Sequence, residues 1–193
     1  VKLICVGGAR PNFMKLAPLC RELGSDPDFG LCLVHTGQHY DDSLSGQFFR
    51  DLGDQVTRAD RYEPEMNRWT PGDDRDTTTP AAKAAIVAKF LTGDILAPAS
   101  RDLLIQWMID TKTGAKRVRA GLPQDWRAGD KTGTGYDDVC GKGNDVAIAW
   151  PPGKPPIIIT GYFNTAGPAD DVSDQDQAVL AEVGRIAAKW AVP

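Results

Sequence analysis

The spacing of apolar residues changes character along the chain. Residues 2–7, KLICVG, form an unbroken apolar run, the pattern of a strand buried on both faces. Pro11 suits the first turn of a helix, and Met14, Leu16, Leu19, Cys20 and Leu23 recur at helical spacing until Gly24. FGLCLVH, residues 29–35, reads as a second strand. Asp41 and Asp42 are placed to cap a second helix, with Leu44, Phe48, Phe49 and Leu52 along one side and Gly53 past its end. Alternating strand and helix predicts a parallel, right-handed, Rossmann-like βαβα unit over residues 1–53, an α/β segment.

From residue 54 the pattern is different. Residues 57–79, with EPEMN and PGDDRDTTTP, are polar throughout and predict a long ordered loop. Pro80 opens a helix that ends at about Thr92 before Gly93, and a further helix covers 99–110. Three strands follow at 126–132, 144–150 and 155–163, separated by glycine- and proline-rich turns that suit an antiparallel meander. The final helix, 174–190, places Val179, Leu180, Val183, Ile186 and Trp190 on one face. Residues 54–193 are therefore expected to form an α+β segment.

Composition narrows the function classes. With 41% hydrophobic and 25% charged residues, the chain has the makings of an ordinary globular core. A net charge of −4 without clustered Lys and Arg excludes a nucleic-acid footprint. No apolar run reaches the roughly 18 residues of a membrane span. The first residues, VKLICVGGARP, lack the pattern of a signal peptide, so the sequence as written reads as cytoplasmic. Cys5, Cys20, Cys32 and Cys140 form no CxxC, and the two histidines complete no zinc pattern, so neither metal nor cofactor is expected. Cys5 and Cys32, inside apolar runs, read as small buried hydrophobes.

Two stretches carry candidate chemistry. Gly7-Gly8-Ala9-Arg10-Pro11 lies between a strand and a helix, where backbone N–H groups receive phosphate. Arg10 would add a forked contact to a diphosphate, with Lys15 about one turn on. A tight turn with a solvated arginine is the other reading of the same residues. Lys131-Thr132-Gly133 sits in GDKTGTG on a predicted strand, but Lys112-Thr113-Gly114 repeats the tripeptide in a loop, so by itself it is weak.

The order of motifs adds to this. GARPNFMKLAPL, LVHTGQHYDD and FFRDLG, in that order within residues 1–53, resemble the N-terminal end of the UDP-N-acetylglucosamine 2-epimerase family. The resemblance implies a UDP-sugar cleft faced by Arg10 and Lys15, with His39 nearby; the family's second domain and catalytic carboxylates have no match here. DRYEPEMN, PGDDRDTTTP, IQWM, RVRAGLPQDW, GDKTGTG, NDVAIAWPP and the terminal helix resemble, over residues 54–193, the C-terminal part of a class A serine β-lactamase. That resemblance implies roles for individual residues. Glu63 is the general base that activates a deacylating water, and Asn67 helps hold that water. Arg61 and Asp76 are the ion pair that pins the loop. Lys131, Thr132 and Gly133 belong to the strand that grips the substrate carboxylate, and Arg117 supports that grip. Thr134 stands where a backbone N–H serves the oxyanion hole.

The same family needs Ser-x-x-Lys and Ser-Asp-Asn. The serines are Ser25, Ser43, Ser45, Ser100 and Ser173, and none has Lys three positions later. Ser173-Asp174-Gln175 approaches the second motif at the wrong end of the chain. Ala59 stands where the family usually has Leu. Together the resemblances imply a chimera with a seam at about residues 50–55, its enzyme activity expected to be absent. A β-lactam or a UDP-sugar would be its only partner, with no nucleic acid and no membrane, and no oligomeric state is specified. The β-lactamase family itself is periplasmic or secreted, in contrast to the cytoplasmic reading.

Overall fold

The computed structural model of the 193-residue chain describes all but residues 1, 8–17, 24, 27–29, 36–41, 62–64, 137, 170–171 and 193. The side chains of 2–7, 30–35, 42–45 and 47 also lie outside the description. Arg10, Lys15, His39 and Glu63 therefore fall outside the described residues, as do most of the first expected helix and the side chains of Cys5 and Cys32. The chain divides into two compact units, residues 1–53 and 54–193.

In the first unit β1 (Lys2–Gly7) pairs in parallel with β2 (Gly30–His35), Lys2 opposite Gly30 and Gly7 opposite His35. Parallel neighbours need a crossover between them, and residues 18–23 within it are helical. The helix α1 (Asp42–Asp51) follows, and Gly53 takes a φ of 75°, the left-handed conformation that ends a helix at least cost. One expectation is corrected here. Phe48 is 52% exposed and meets Phe49 edge to face, whereas Leu52, just past the helix end, is buried.

The second unit is a three-stranded antiparallel sheet with helices on both faces. Its helices are α2 (Pro80–Leu91), α3 (Pro98–Asp110) and α4 (Asp174–Ala191), and its strands are β3 (Arg127–Tyr136), β4 (Gly141–Trp150) and β5 (Ile157–Asn164). The sheet order is β3-β4-β5. Both β3 and β4 run longer than their apolar cores predict, because GTGY and GKG continue the backbone ladder (Gly133 opposite Asn144, Tyr136 opposite Gly141). Alternation in β4 divides the core. Ala147 and Ala149 join Val118, Leu122 and Ile159 beneath α4, and Ile148 joins Leu91 and Met108 beneath α2 and α3.

The helix starts are chemically explicit. Thr79 accepts from the Ala82 amide and Pro80 takes the first turn of α2, where its missing N–H costs nothing. Ser173 and Asp176 form a reciprocal capping box at α4. The Ser-Asp-Gln triplet is thus a helix cap.

The face of α4 also differs from the expected one. Leu180 and Gly184 are buried and Val183, Ala187 and Ala188 are half-buried, while Val179, Ile186 and Trp190 are exposed. Gly184 decides this: its Cα lies so close to the Val118 carbonyl that a methyl group there would overlap it. The close approach turns the helix so that its small residues face the sheet. Gly184→Ala is expected to lower stability by about 3 kcal/mol, although alanine is the better helix former, because the clash is with backbone and neither side can yield. The urea midpoint of the variant measures this, and an unchanged midpoint would contradict it.

Candidate functional site at the β3 edge

β3 is an edge strand, and it carries Lys131, Thr132, Gly133 and Thr134 in succession. Lys131 is exposed, and its Nζ donates to the Thr132 carbonyl at 2.5 Å, leaving ammonium protons for an anion. Arg117 reaches the strand from the turn after α3 and is only 5% exposed. Its guanidinium donates to the carbonyls of Gly133 (2.9 Å) and Asn144 (2.8 Å) and to Oγ1 of Thr134 (2.7 Å). One buried cation thus ties β3 to β4. Because Thr134 Oγ1 accepts from Arg117, the hydroxyl hydrogen is left to donate elsewhere. The Thr132 and Thr113 hydroxyls lie 2.7 Å apart. The second Lys-Thr-Gly is therefore packed onto the first: Thr113 meets Thr132, and Gly114 lies so close to Asp130 that any side chain there would overlap its carboxylate.

Sequence reasoning missed two residues of this region, Asp130 and Asp145. Both side chains are wholly buried. Asp130 accepts from Arg119 Nε at 2.9 Å, and Asp145 accepts from the Val118 amide at 3.0 Å. Burial pushes both carboxyls up from the usual range; Asp145, with Asp130 as a like charge nearby, is pushed up to about 7. The signal was present in the strand parity. In NDVAIAW, Asp145 shares the inward face of Ala147 and Ala149, where a charge needs a buried partner.

The loop ahead of α2 is held by an ion pair between Arg61 and Asp76. Asp76 adopts a φ of 55°, accepts from the Asp60 and Arg61 amides at 2.6 and 2.9 Å, and takes Arg61 Nε at 2.5 Å. Arg61 also reaches the Arg68 carbonyl and Asp73. The Arg75 guanidinium holds Asp73 well below the usual carboxylate range. Asn67 lies in a 3-10 turn, Glu65–Asn67, inside this loop. Replacing Asp76 by Ala leaves two amides and a guanidinium without their acceptor and puts in the left-handed conformation a residue that tolerates it less well than Asp, so a local cost of about 2 kcal/mol is expected. Amide exchange across residues 57–79 should then quicken more than tenfold while α4 keeps its protection; equal exchange in variant and parent would refute it.

Two cavities flank the edge. One, of about 580 Å³, is apolar, lined by Val87, Phe90, Leu104, Trp107 and Met108, with Lys83 and Lys131 among its polar groups. The other, of about 420 Å³, is more polar and brings Asn67 and Arg75 to Thr134, Lys142 and Asn164. Gly133, Asn144 and Tyr162 line both. Of the expected residues, Asn67, Lys131, Thr132, Gly133 and Thr134 border these cavities, Arg117 stands behind Thr134, and Arg61 and Asp76 hold the loop. Cys140 is buried, and no helix among the described residues is long and apolar enough to cross a membrane.

The chain is similar to known proteins over most of its length. The beta-lactamase enzyme family matches residues 44–191, a match that begins within α1. Beta-lactamase AST-1 of Nocardia asteroides is 47% identical over 137 residues, which are 71% of this chain and 42% of that protein. Beta-lactamase L2 of Stenotrophomonas maltophilia is 46% identical over 142 residues, 72% of this chain and 45% of that one. Among solved structures, the class A β-lactamase of the last common ancestor of Gram-negative bacteria superposes with a TM-score of 0.68 at 49% identity, covering 79% of this chain and 56% of that chain. A β-lactamase from Xanthomonas campestris gives a TM-score of 0.67 at 44% identity, covering 79% of this chain and 55% of that chain. The chain thus spans about half the length of the relatives it matches. With a family match across three quarters of its residues and a class A relative's fold around the Lys-Thr-Gly edge, the chain belongs to the class A beta-lactamase family.

Proposed function

We propose that residues 54–193 supply the carboxylate-binding edge and the deacylation loop of a class A β-lactamase site, and that this chain alone binds a β-lactam carboxylate without opening the ring. One observation carries the reading: Lys131, Thr132 and Thr134 follow one another on an open strand with buried Arg117 behind Thr134. A carboxylate set against this edge meets an ammonium, two hydroxyls and a positive field that burial leaves weakly screened. Glu63 is assigned the role of general base, Asn67 that of holding its water, and the Thr134 amide that of an oxyanion donor. Titration of the ¹⁵N-labelled protein with benzylpenicillin tests the reading. Shifts are expected at 131–134, and Lys131→Ala is expected to remove them; shifts confined to other residues would reject it.

A second reading concerns residues 1–53, and the parallel pairing of β1 with β2 favours it. We infer for them a nucleotide-sugar-binding segment of the UDP-N-acetylglucosamine 2-epimerase type, joined in one chain to the β-lactamase segment. Arg10, Lys15 and His39 are its assigned contacts. UDP is expected to bind weakly, because a well-held ligand buries most of its surface and the epimerase family's second domain has no match here. The same UDP-induced shifts in Arg10→Ala as in the parent would reject this reading.

A further inference from the structure

Among the described residues, three buried polar atoms have no hydrogen-bond partner: Arg117 Nε, Asp130 Oδ1 and Asp145 Oδ1. Their side chains belong to one cluster. Asp130 stands opposite Ala147 and Asp145 opposite Thr132, so the two acids are diagonal neighbours on one face of the β3–β4 pair. The turn 114–119 lies over that face: Gly114 rests on Asp130, the Val118 amide donates to Asp145, and Arg119 donates to Asp130. Arg117, in the same turn, spends its terminal nitrogens on Gly133, Asn144 and Thr134. A buried carboxyl oxygen and a buried guanidinium N–H without partners are costly unless the cluster's charge offsets that cost.

The charge count is simple. Arg117 and Arg119 face Asp130 and Asp145, so the cluster is neutral with both acids ionised and carries one positive charge when Asp145 holds a proton. No further charge faces Asp145 closely. Lys131 neighbours Asp130 along β3, the α4 residues on this side are Leu180, Val183 and Gly184, and Arg185 is exposed and paired with Glu182. Arg117 carries the cluster's hydrogen bond to Thr134 on the open edge.

Building on the carboxylate-binding reading above, we propose that Asp145 is a positioning residue of the β3 edge, acting through Arg117 on Thr134 and setting by its protonation the positive charge the edge presents to an anion. Proton uptake by Asp145 leaves Arg117 less compensated and strengthens anion binding. Proton release draws the guanidinium toward the acid pair and weakens it. Nothing in this role requires bond making by Asp145.

The test separates the coupling from the binding. The ligand-free, ¹³C,¹⁵N-labelled full chain is titrated from about pH 5.5 to 8.5, following Asp145 Cγ and the amides of Gly133 and Thr134. The expectation is one shared midpoint near neutrality (the carboxyl is pushed up to about 7) and its disappearance from both amides in Asp145→Asn. Benzylpenicillin is then expected to bind the parent about tenfold more tightly at the acid end than at the basic end. Asp145→Asn should bind at the tighter level throughout. Amides that stay flat while Asp145 titrates in the parent overturn the proposal, and so does a variant that keeps the pH dependence. The first of these needs no variant to fold. Shared titration without penicillin binding at any pH supports the coupling and overturns only the carboxylate-binding reading.

Discussion

Purified as these 193 residues, the protein will hydrolyse a chromogenic cephalosporin no faster than buffer does. Acyl transfer to an enzyme needs a nucleophile with a base at hand. Ser100 lies in the exposed first turn of α3, Ser173 is committed to the α4 capping box, and Ser25 donates its hydroxyl to the Glu22 carbonyl at 2.7 Å. None of the five serines has a lysine three residues on, the helical spacing that would bring an amine to the hydroxyl. What remains is the grip of Lys131, Thr132 and Thr134 and the positive charge of Arg117. Removing the nucleophile from a serine hydrolase costs on the order of a million-fold in turnover, with binding and oxyanion stabilisation left over. The other route is direct attack by a water held at Glu63. Turnover above buffer that vanishes in Glu63→Ala would establish that route and sink the prediction.

The second unit was legible wherever local signals agreed with tertiary packing. Pro80 after Thr79 and Ser173 three residues before Asp176 announce their helices through chemistry that is complete within four residues. The meander was legible from the glycine- and proline-rich turns that separate residues 126–132, 144–150 and 155–163. What failed were choices made by contacts far apart in sequence. Nothing within α4 distinguishes a face that joins Val179, Ile186 and Trp190 to Leu180 and Val183, as expected, from one that joins Gly184 and Ala187 to them. The Val118 carbonyl, more than sixty residues earlier, excludes every residue but glycine at 184 and so selects the second. Gly114 over Asp130 is the same kind of case, and it explains why the second Lys-Thr-Gly read as chance. Its function is to let a turn close over a buried acid. Arg61 and Asp76 were legible through motif order. Asp130 and Asp145 were not, because a charge within a predicted strand reads as solvent-facing until the layer above it is known.

The stability of residues 54–193 should fall as pH rises from about 4 to about 7, and Asp145→Asn should remove most of that fall. The sign follows from where the proton sits. The Asp145 carboxyl is pushed up to about 7 in the folded protein from an ordinary 3.8, first by burial and then by the charge of Asp130. Below the ordinary value both folded and unfolded chains hold the proton, and the carboxyl costs nothing. Between the two values the unfolded chain releases its proton while the fold retains it, so stability declines by about 1.4 kcal/mol per pH unit. Above the folded value the loss is complete, on the order of 4 kcal/mol. Asp54, Asp60 and Asp73 act in the opposite sense, since hydrogen bonds from Thr57 hold down Asp54 and arginines hold down the other two. Their contribution is lost as pH falls through the acid carboxylate range. Asparagine keeps an oxygen for the Val118 amide and cannot ionise, so the variant should match the parent near pH 4.5 and exceed it by roughly 2 to 4 kcal/mol at pH 8. All five tryptophans lie at or beyond Trp69, so urea unfolding followed by their fluorescence reports this unit alone. A variant-minus-parent difference that stays constant from pH 4.5 to 8 would mean that Asp145 is ionised throughout, with Arg117 and Arg119 together outweighing its burial.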